Sequence, residues 1–508
     1  MDKRTAIIDI GSNSARLVIF EETSRYGFHL ICEQKSKVRI GEGAYEKNGQ
    51  LQPIGIKRAF FTLQSFLHTI KKYQVQKTIC VATSALRDAP NAKIFTKWIK
   101  IKLGLCINII DGNKEAQYGA IAAKNLLPIQ DAISIDIGGG SSDIALIQNG
   151  NILETYSLNL GTVRLKELFF DKNITLEEKN KQANEYIKKQ LNKLPDSFKS
   201  DIAIGIGGTA RSLSEGIMKQ CEHPLDKLHA FTYNINDFSQ YLKEIPLTSA
   251  KNLKKFKLKE SRFDTIREGV LIWNAILSHI ASTTVITSSA GVREGIFLEY
   301  LLRRVKLKFP HNINPSMTSL LDRFKPQIKT ELKRKNKIKI AEDLYEELQD
   351  EVQDNKVYSP ELQTALNLSS IGKTLTIYKA HKHAFYIAKH ELNYAYTHEQ
   401  MILVSLLLRM HGSKLLKKSL YKQYKTLLPN KNILSWLSFI YTLSIYLYEA
   451  SNSAKIDFMY KNKTLLVKSD KPLYLAKEKI KKLEKPSSFA IIIKDKDDLP
   501  SNKELGIK

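Results

Sequence analysis

A repeat restricts the fold of this chain more than any other feature. Ile8-Asp9-Ile10-Gly11-Ser12-Asn13-Ser14-Ala15-Arg16-Leu17 and Ile135-Asp136-Ile137-Gly138-Gly139-Gly140-Ser141-Ser142-Asp143-Ile144 read alike when shifted by 127 positions. Each copy is an apolar run, the string Asp-Ile-Gly-x-x-Ser, and a second apolar run. Runs of this length predict buried strands at 6–8 with 17–20 and at 132–135 with 144–147, and the small polar centre predicts a tight hairpin. An internal duplication follows, one copy opening each of two similar α/β domains. Further strands are expected at 78–82, 107–110 and 203–206, and helices at 54–73, 115–127 and 176–194; their alternation is an α/β pattern.

Length and composition agree. The 508 residues are 43% hydrophobic and 26% charged, which suits several domains with real cores and excludes collagen-like, disordered and disulfide-scaffold classes. Residues 1–126 and 127–305 are read as the two duplicated lobes. From 306 to 508 the pattern becomes basic and mainly helical, and within it 456–508 carries strand-like runs at 464–467 and 489–493 without a readable fold. The run 433–448 has no charge but is too short to span a bilayer, so a buried core helix is expected and no membrane insertion. Cys32, Cys80, Cys106 and Cys221 show no metal-ligand spacing, consistent with a reducing compartment. Asp9 falls where a signal peptide would need apolar residues, so a cytoplasmic location is expected.

The net charge is +27, of which residues 301–508 supply +17. Such a field attracts polyanions: nucleic acid, a membrane surface or a phosphate polymer. Lysine-rich solvated surfaces would give the same number.

Three glycine-rich turns carry the chemistry: Gly11-Ser12-Asn13-Ser14, Gly138-Gly139-Gly140-Ser141 and Gly207-Gly208-Thr209. A turn of this kind between strands exposes successive backbone N–H groups as an anion nest, and small hydroxyl residues let phosphate oxygens approach. Asp9 and Asp136 end apolar strands, where an unpaired carboxylate is costly. They either cap their own turns or, beside phosphate, hold Mg²⁺ together with waters. Glu115 stands in the first turn of a helix, whose positive end is expected to keep it ionised as a general base must be. Arg87 and Arg293 each follow a strand and a loop of small residues, from which a guanidinium can clamp phosphate.

These residues, with Ala82-Thr83-Ser84-Ala85-Leu86-Arg87, Gly112-Asn113-Lys114-Glu115-Ala116 and Gly291-Val292-Arg293-Glu294-Gly295, resemble the exopolyphosphatase/guanosine pentaphosphate phosphohydrolase (Ppx/GppA) family. That family lies within the actin, Hsp70 and sugar kinase superfamily. The resemblance covers about residues 5–300 and implies two ribonuclease H-like lobes around a phosphate-binding cleft. It implies Glu115 as the base that orients water and Asp136 as a metal ligand. Asp143 stands where the family usually has a glutamate, keeping the charge on a shorter side chain. The helical region resembles an HD-type domain through Lys382-His383, His398-Glu399 and Met410-His411-Gly412. The place of its metal-binding His-Asp pair reads Ser369-Ser370, which implies a structural relic supporting binding or a homodimer.

The reading that results is a Mg²⁺-dependent hydrolase removing terminal phosphate from inorganic polyphosphate, with guanosine pentaphosphate of the stringent response as alternative or second substrate. A kinase would need a nucleoside pocket and an acceptor site. A non-catalytic alarmone sensor would dispense with Glu115 or Asp136. A nucleic-acid partner would explain the charge but not three phosphate turns.

Overall fold

The computed structural model describes residues 3–44, 47–324, 331–352, 354, 356–410 and 418–496, with the side chains of 176 and 331–334 excepted. Two compact units are distinguished, Met1–Ser319 with Tyr394–Thr397, and Leu320–Asn393 with His398–Lys508.

The first unit contains the duplication. Its first half runs β1 (Lys3–Ile10), β2 (Ala15–Glu22), β3 (Phe28–Ser36), α1 (Pro53–Lys72), β4 (Lys77–Ala82), α2 (Ser84–Asp88), α3 (Ala92–Leu103), β5 (Asn108–Ile109) and α4 (Gly112–Leu126). The second half runs β6 (Ala132–Ile137), β7 (Ser142–Gln148), β8 (Asn151–Leu158), α5 (Thr162–Leu165), α6 (Leu176–Leu191), β9 (Ile202–Ile206), α7 (Gly207–Gln220), β10 (Thr232–Asn234), α8 (Ser239–Leu247), α9 (Ile266–His279), β11 (Thr284–Thr287) and α10 (Val292–Leu302). The sheets are ordered β3-β2-β1-β4-β5 and β10-β11-β9-β6-β7-β8. In each, an antiparallel three-strand meander is extended by two parallel strands; β10 is an added antiparallel edge. The repeat seen in ten residues thus extends to the topology of both lobes. Helix α4 begins three residues before Glu115 because the Asp111 carboxylate accepts from the Lys114 amide at 2.8 Å and caps the helix there.

Strand alternation determines which side chains face which layer. On β1, Ala6, Ile8 and Ile10 join the core beneath α1 and α3, whereas Ile7 packs with α4 and α10. On β6 and β7, Ile133, Ile135, Ile137, Ile144 and Leu146 face the outer helices of their lobe, and Ala132, Ala145 and Ile147 face α4. Asp9 shares the parity of Ile7, Asp136 that of Ala132, and Asp143 that of Ala145. All three acids therefore lie on the inner faces, towards α4, on which both sheets pack.

The second unit contains α11 (Pro315–Arg323) in part, then α12 (Glu331–Glu347), α13 (Ser359–Leu368), α14 (Ala380–Glu391), α15 (His398–Arg409), α16 (Lys418–Tyr424) and α17 (Lys431–Ala450). The uncharged run lies in α17, which buries Leu434, Leu437, Phe439, Ile440 and Leu443 inside the protein as a core helix. His383 is half-buried and His398 buried, while His411 lies outside the described residues. The stretch unreadable in sequence forms β12 (Ile456–Lys461), β13 (Thr464–Ser469), α18 (Tyr474–Ile480) and β14 (Ala490–Lys494), a sheet in the order β12-β13-β14. Its third strand is parallel and reached through a helix, a pairing that no local pattern announces.

Close approach of α4 and α10 depends on Gly295, where a Cβ would collide with the Tyr118 carbonyl. Gly295→Ala is therefore expected to cost roughly 1–3 kcal/mol of stability in the first unit. Denaturant unfolding of the two proteins checks this, and an unchanged midpoint would contradict the packing described.

Candidate active site

The turns that follow β1 and β6 lie side by side, so close that a Cβ on Gly139 would touch Ser12. Both are held from behind in the same way. The Ser12 and Asn13 carbonyls accept from the Gly41 and Arg39 amides at 3.3 and 3.0 Å. The Gly138 carbonyl accepts from Thr162 at 3.0 Å, and that of Gly139 from Val163 and Arg164 at 2.9 and 3.0 Å. In a planar trans peptide the N–H opposes the C=O, so each tied carbonyl aims the next amide away from its support. The third glycine segment is not a turn between strands. It is the junction of β9 with α7, whose first amides have no intrahelical partner and whose Ile206 N-cap offers no side-chain cap. Gly207 has φ +78°, and a side chain there would strike Asp136 Oδ1; one on Gly208 would strike the Arg262 guanidinium.

These segments line a cavity of about 190 Å³ together with Asp9, Glu115, Asp136 and Asp143. Burial is the main reason all four carboxyls hold their protons more tightly than usual. Arg293 and Arg16 oppose it at Asp9, and Arg211 and Arg16 at Asp136. At Glu115 burial and the charge of Asp143 push the affinity well up, against Arg87. The helix end, expected to favour the ionised form of Glu115, does not lower its proton affinity: burial and a neighbouring acid outweigh the dipole. Asp143 is pushed up to about 7 by burial, while Oδ1 accepts from Ser157 at 2.5 Å and Oδ2 from Ser141 at 3.3 Å. The register sharpens the contrast between the hairpins, pairing Asp9 with Arg16 but Asp136 with Asp143. Like charges opposite each other destabilise a sheet, so this pair is kept for another purpose.

Arg16, Lys35, Lys37, Arg211, Arg262 and Arg293 supply positive charge to the same walls. Arg293 donates to Glu33 at 2.9 Å, and Arg211 Nε to the Ser288 carbonyl at 2.9 Å. Burial brings Arg211 down to about 10 and Lys35 down to about 8, so these cations lack a full set of counter-charges. A dry set of carboxylates that raise one another's proton affinity, beside anion-receiving amides, fits a hard divalent cation such as Mg²⁺. Among the described residues no three His, Cys, Asp or Glu side chains are gathered tightly enough to hold an ion unaided, so waters and substrate oxygens would complete its shell.

Most expected residues meet here: Asp9, Gly11, Ser12, Asn13, Ser14, Glu115, Asp136, Gly138, Gly139, Ser141, Asp143, Gly207, Gly208 and Thr209 all line the cavity. Two do not. Arg87 turns away from the expected phosphate and donates to Glu115 Oε2 and the Ile110 carbonyl, both at 3.2 Å, which makes it a positioning residue for the acid. Gly140 accepts from Arg164 Nε at 2.7 Å and stands off the wall. Sequence reasoning did not single out Arg16, Lys35, Lys37 or Arg262. The hairpin register could have found Arg16, directly across from Asp9; the others carry no local signal.

A model described as the Ppx/GppA phosphatase family matches residues 18–304. The chain is 31% identical over 310 residues to a bifunctional 3-dehydroquinate synthase/phosphatase of Fusobacterium nucleatum, covering 58% of this chain and 46% of that protein. It is 27% identical to a guanosine-5'-triphosphate,3'-diphosphate pyrophosphatase of Pseudoalteromonas atlantica, over 57% of each. The chain thus spans about half the length of these curated relatives. A crystal structure of the Aquifex aeolicus Ppx/GppA family member superposes with a TM-score of 0.52 at 26% identity, covering 60% of this chain and 99% of that one. An exopolyphosphatase structure from Cytophaga hutchinsonii, at 23% identity and a TM-score of 0.55, shares the fold over 60% of this chain and 100% of its own.

The raised Asp143 carboxyl has a consequence for stability. A folded-state value above the unfolded one binds extra protons in the fold, so stability is full below about pH 4 and falls as pH rises towards 7. Without divalent ions, Asp143→Asn is expected to be more stable than wild type at pH 8, by up to about 4 kcal/mol, and to lose that advantage near pH 4. Thermal unfolding at both pH values tests this; a destabilised variant at pH 8 would refute it.

Proposed function

Because the chain belongs to the Ppx/GppA phosphatase family, we propose that its cavity hydrolyses a terminal phosphoanhydride bond, with inorganic polyphosphate as principal substrate. The observation that carries this reading is the meeting, in one cavity, of four carboxylates, one buried and three half-buried, with two tied-back turns, a helix N-terminus and six cationic side chains. Glu115 takes a proton from a water whose oxygen attacks the terminal phosphorus in line, while the bridging P–O bond breaks and its electrons leave with the shortened chain. A base must have high proton affinity and yet be ionised at work. Burial supplies the affinity, and the Arg87 contact at 3.2 Å holds the carboxylate in place. The amides of residues 12–14, of Gly139 and Ser141, and of 207–209 receive the equatorial oxygens, and Arg16, Arg211 and Arg293 offset the developing charge. Asp9 and Asp136, with waters and substrate oxygens, would hold Mg²⁺, which supplies charge neutralisation at the reacting phosphate, and Asp143 across the ladder from Asp136 would add its charge.

Polyphosphate is favoured because no aromatic side chain, among the described residues, lines the cavity to stack a base. A basic region from 306 onwards would further suit a long polyanion. Guanosine pentaphosphate is the second reading. It is supported by an adjoining cavity of about 260 Å³ that shares Ser12, Asn13, Gly139 and Thr265 with the first. Glu42, Asp88 and Asp264 there could accept hydrogen bonds from a purine edge. Phosphate release from long-chain polyphosphate and from guanosine pentaphosphate, measured side by side, decides between them.

The second unit is read as a non-catalytic HD-like relic. Ser369 Oγ accepts from Lys337 Nζ at 2.8 Å, so a buried ammonium lies beside the segment where an HD centre would need metal ligands. Ser369→Ala is expected to leave the metal requirement of hydrolysis unchanged, and a clear shift in the metal titration would overturn the relic reading.

Glu115→Gln is expected to lower kcat about 10²–10⁴-fold while binding of polyphosphate stays within a few-fold, since the amide keeps shape and loses the base. Retention of a tenth of wild-type kcat would remove Glu115 from this role. Asp136→Asn is expected to raise the Mg²⁺ concentration needed for half-maximal rate, and an unchanged titration would leave Asp136 as a turn cap.

A further inference from the structure

The outer face of the first lobe is unlike the rest of the unit. Helices α1 and α3 lie side by side there, with Phe60 and Trp98 in ring contact at 4.9 Å. Together they carry Lys57, Arg58, Lys71, Lys72, Lys93, Lys97, Lys100 and Lys102, and neither contains an aspartate or glutamate. Arg58 pairs with Glu42. Among the described residues the seven lysines form no ion pair, so their charge is uncompensated within the protein.

Large apolar side chains stand among these lysines. Ile94 and Ile101, two turns apart on α3, are 74% and 70% exposed, and Ile54 and Phe61 on α1 are 61% and 55% exposed. Helix α3 buries Ala92, Phe95 and Ile99 in the lobe, so Ile94 and Ile101 are not part of its core face. A solvated lysine surface has no use for four such side chains, and neither has a track for phosphate groups alone. An array of lysines around protruding isoleucines matches a bilayer interface: the ammonium groups reach anionic headgroups while the apolar side chains enter the acyl boundary.

We propose that the α1–α3 face docks the protein peripherally on an anionic lipid surface. This rests on charge complementarity and on the exposed apolar side chains, and is independent of which phosphoanhydride the cavity hydrolyses. The interface contains no residue of the cavity wall, so docking and hydrolysis are separable.

The test is co-sedimentation of the full chain with vesicles of phosphatidylcholine alone and of phosphatidylcholine with an equal part of phosphatidylglycerol. The protein is expected to partition onto the second kind only, and less so at high salt. Each basic residue near an anionic surface is worth about a five-fold change in partitioning, so Lys97→Ala with Lys100→Ala is expected to weaken binding about 25-fold. Ile94→Ser with Ile101→Ser keeps every charge and is expected to weaken it on the order of ten-fold. Unchanged melting temperature and phosphate release show that the variants are folded. Absence of phosphatidylglycerol-dependent binding would overturn the proposal. So would binding untouched by the isoleucine pair, which would identify the face as a track for soluble polyanions instead.

Discussion

Helix α4 serves both sheets of the first unit at once, with α10 packed beside it on the first, and the cavity exists because of that sharing. Inner-face side chains of β1, β2 and β4 pack on both helices, and those of β6, β7 and β9 pack on α4. Gly295 against the Tyr118 carbonyl brings the pair close, and the Tyr118 hydroxyl donates to Glu299 at 3.0 Å across it. With the helices confined in this way, the N-terminus of α4 delivers Glu115 and that of α10 delivers Arg293 to one place. The parity of the strands then aims Asp9, Asp136 and Asp143 at the same point. A shift of one residue in either hairpin would turn these acids into the outer cores and fill the cavity with isoleucine.

The arrangement is costly to the fold. Four carboxyls, that of Asp143 buried and the others half-buried, lie near one another, and the arginines around them are partly desolvated. Such a set is not what a stable fold would select, because apolar residues of similar size would pack there without this penalty. Its components complement something absent from the chain: anionic oxygens for the arginines and amides, a cation for the acids. Local disfavour of this kind is a common signature of functional sites.

Much of this was legible in the sequence. The Asp-Ile-Gly-x-x-Ser repeat gave the hairpins, and the apolar runs before it put Asp9 and Asp136 at the ends of buried strands. Glycine marked the segments where backbone had to approach a partner, as at Gly207 against Asp136. What the sequence hid depends on distance in space. Arg262 reaches the cavity from a loop before α9, and Lys35 from the end of a β3 strand that reads as ordinary polar edge. Arg87 looked like a phosphate clamp because small residues precede it, but the capping of α4 by Asp111 positions Glu115 to take that guanidinium first. The proton affinity of Glu115 was misjudged for a related reason: a helix dipole can be read from one segment, whereas burial against Asp143 cannot.

The two hairpins share a backbone but not a charge pattern, since Asp9 faces Arg16 across its turn while Asp136 faces Asp143. In the first hairpin the acid has a cation directly across the ladder, whereas in the second two acids face each other and the arginines come from other elements. Duplication alone would have produced a cleft with twofold pseudosymmetry, in which a chain of identical phosphates could lie equally well in either direction. The unequal acids remove that degeneracy. The cleft therefore has a polarity, with paired acids on the second hairpin and an acid–arginine pair on the first.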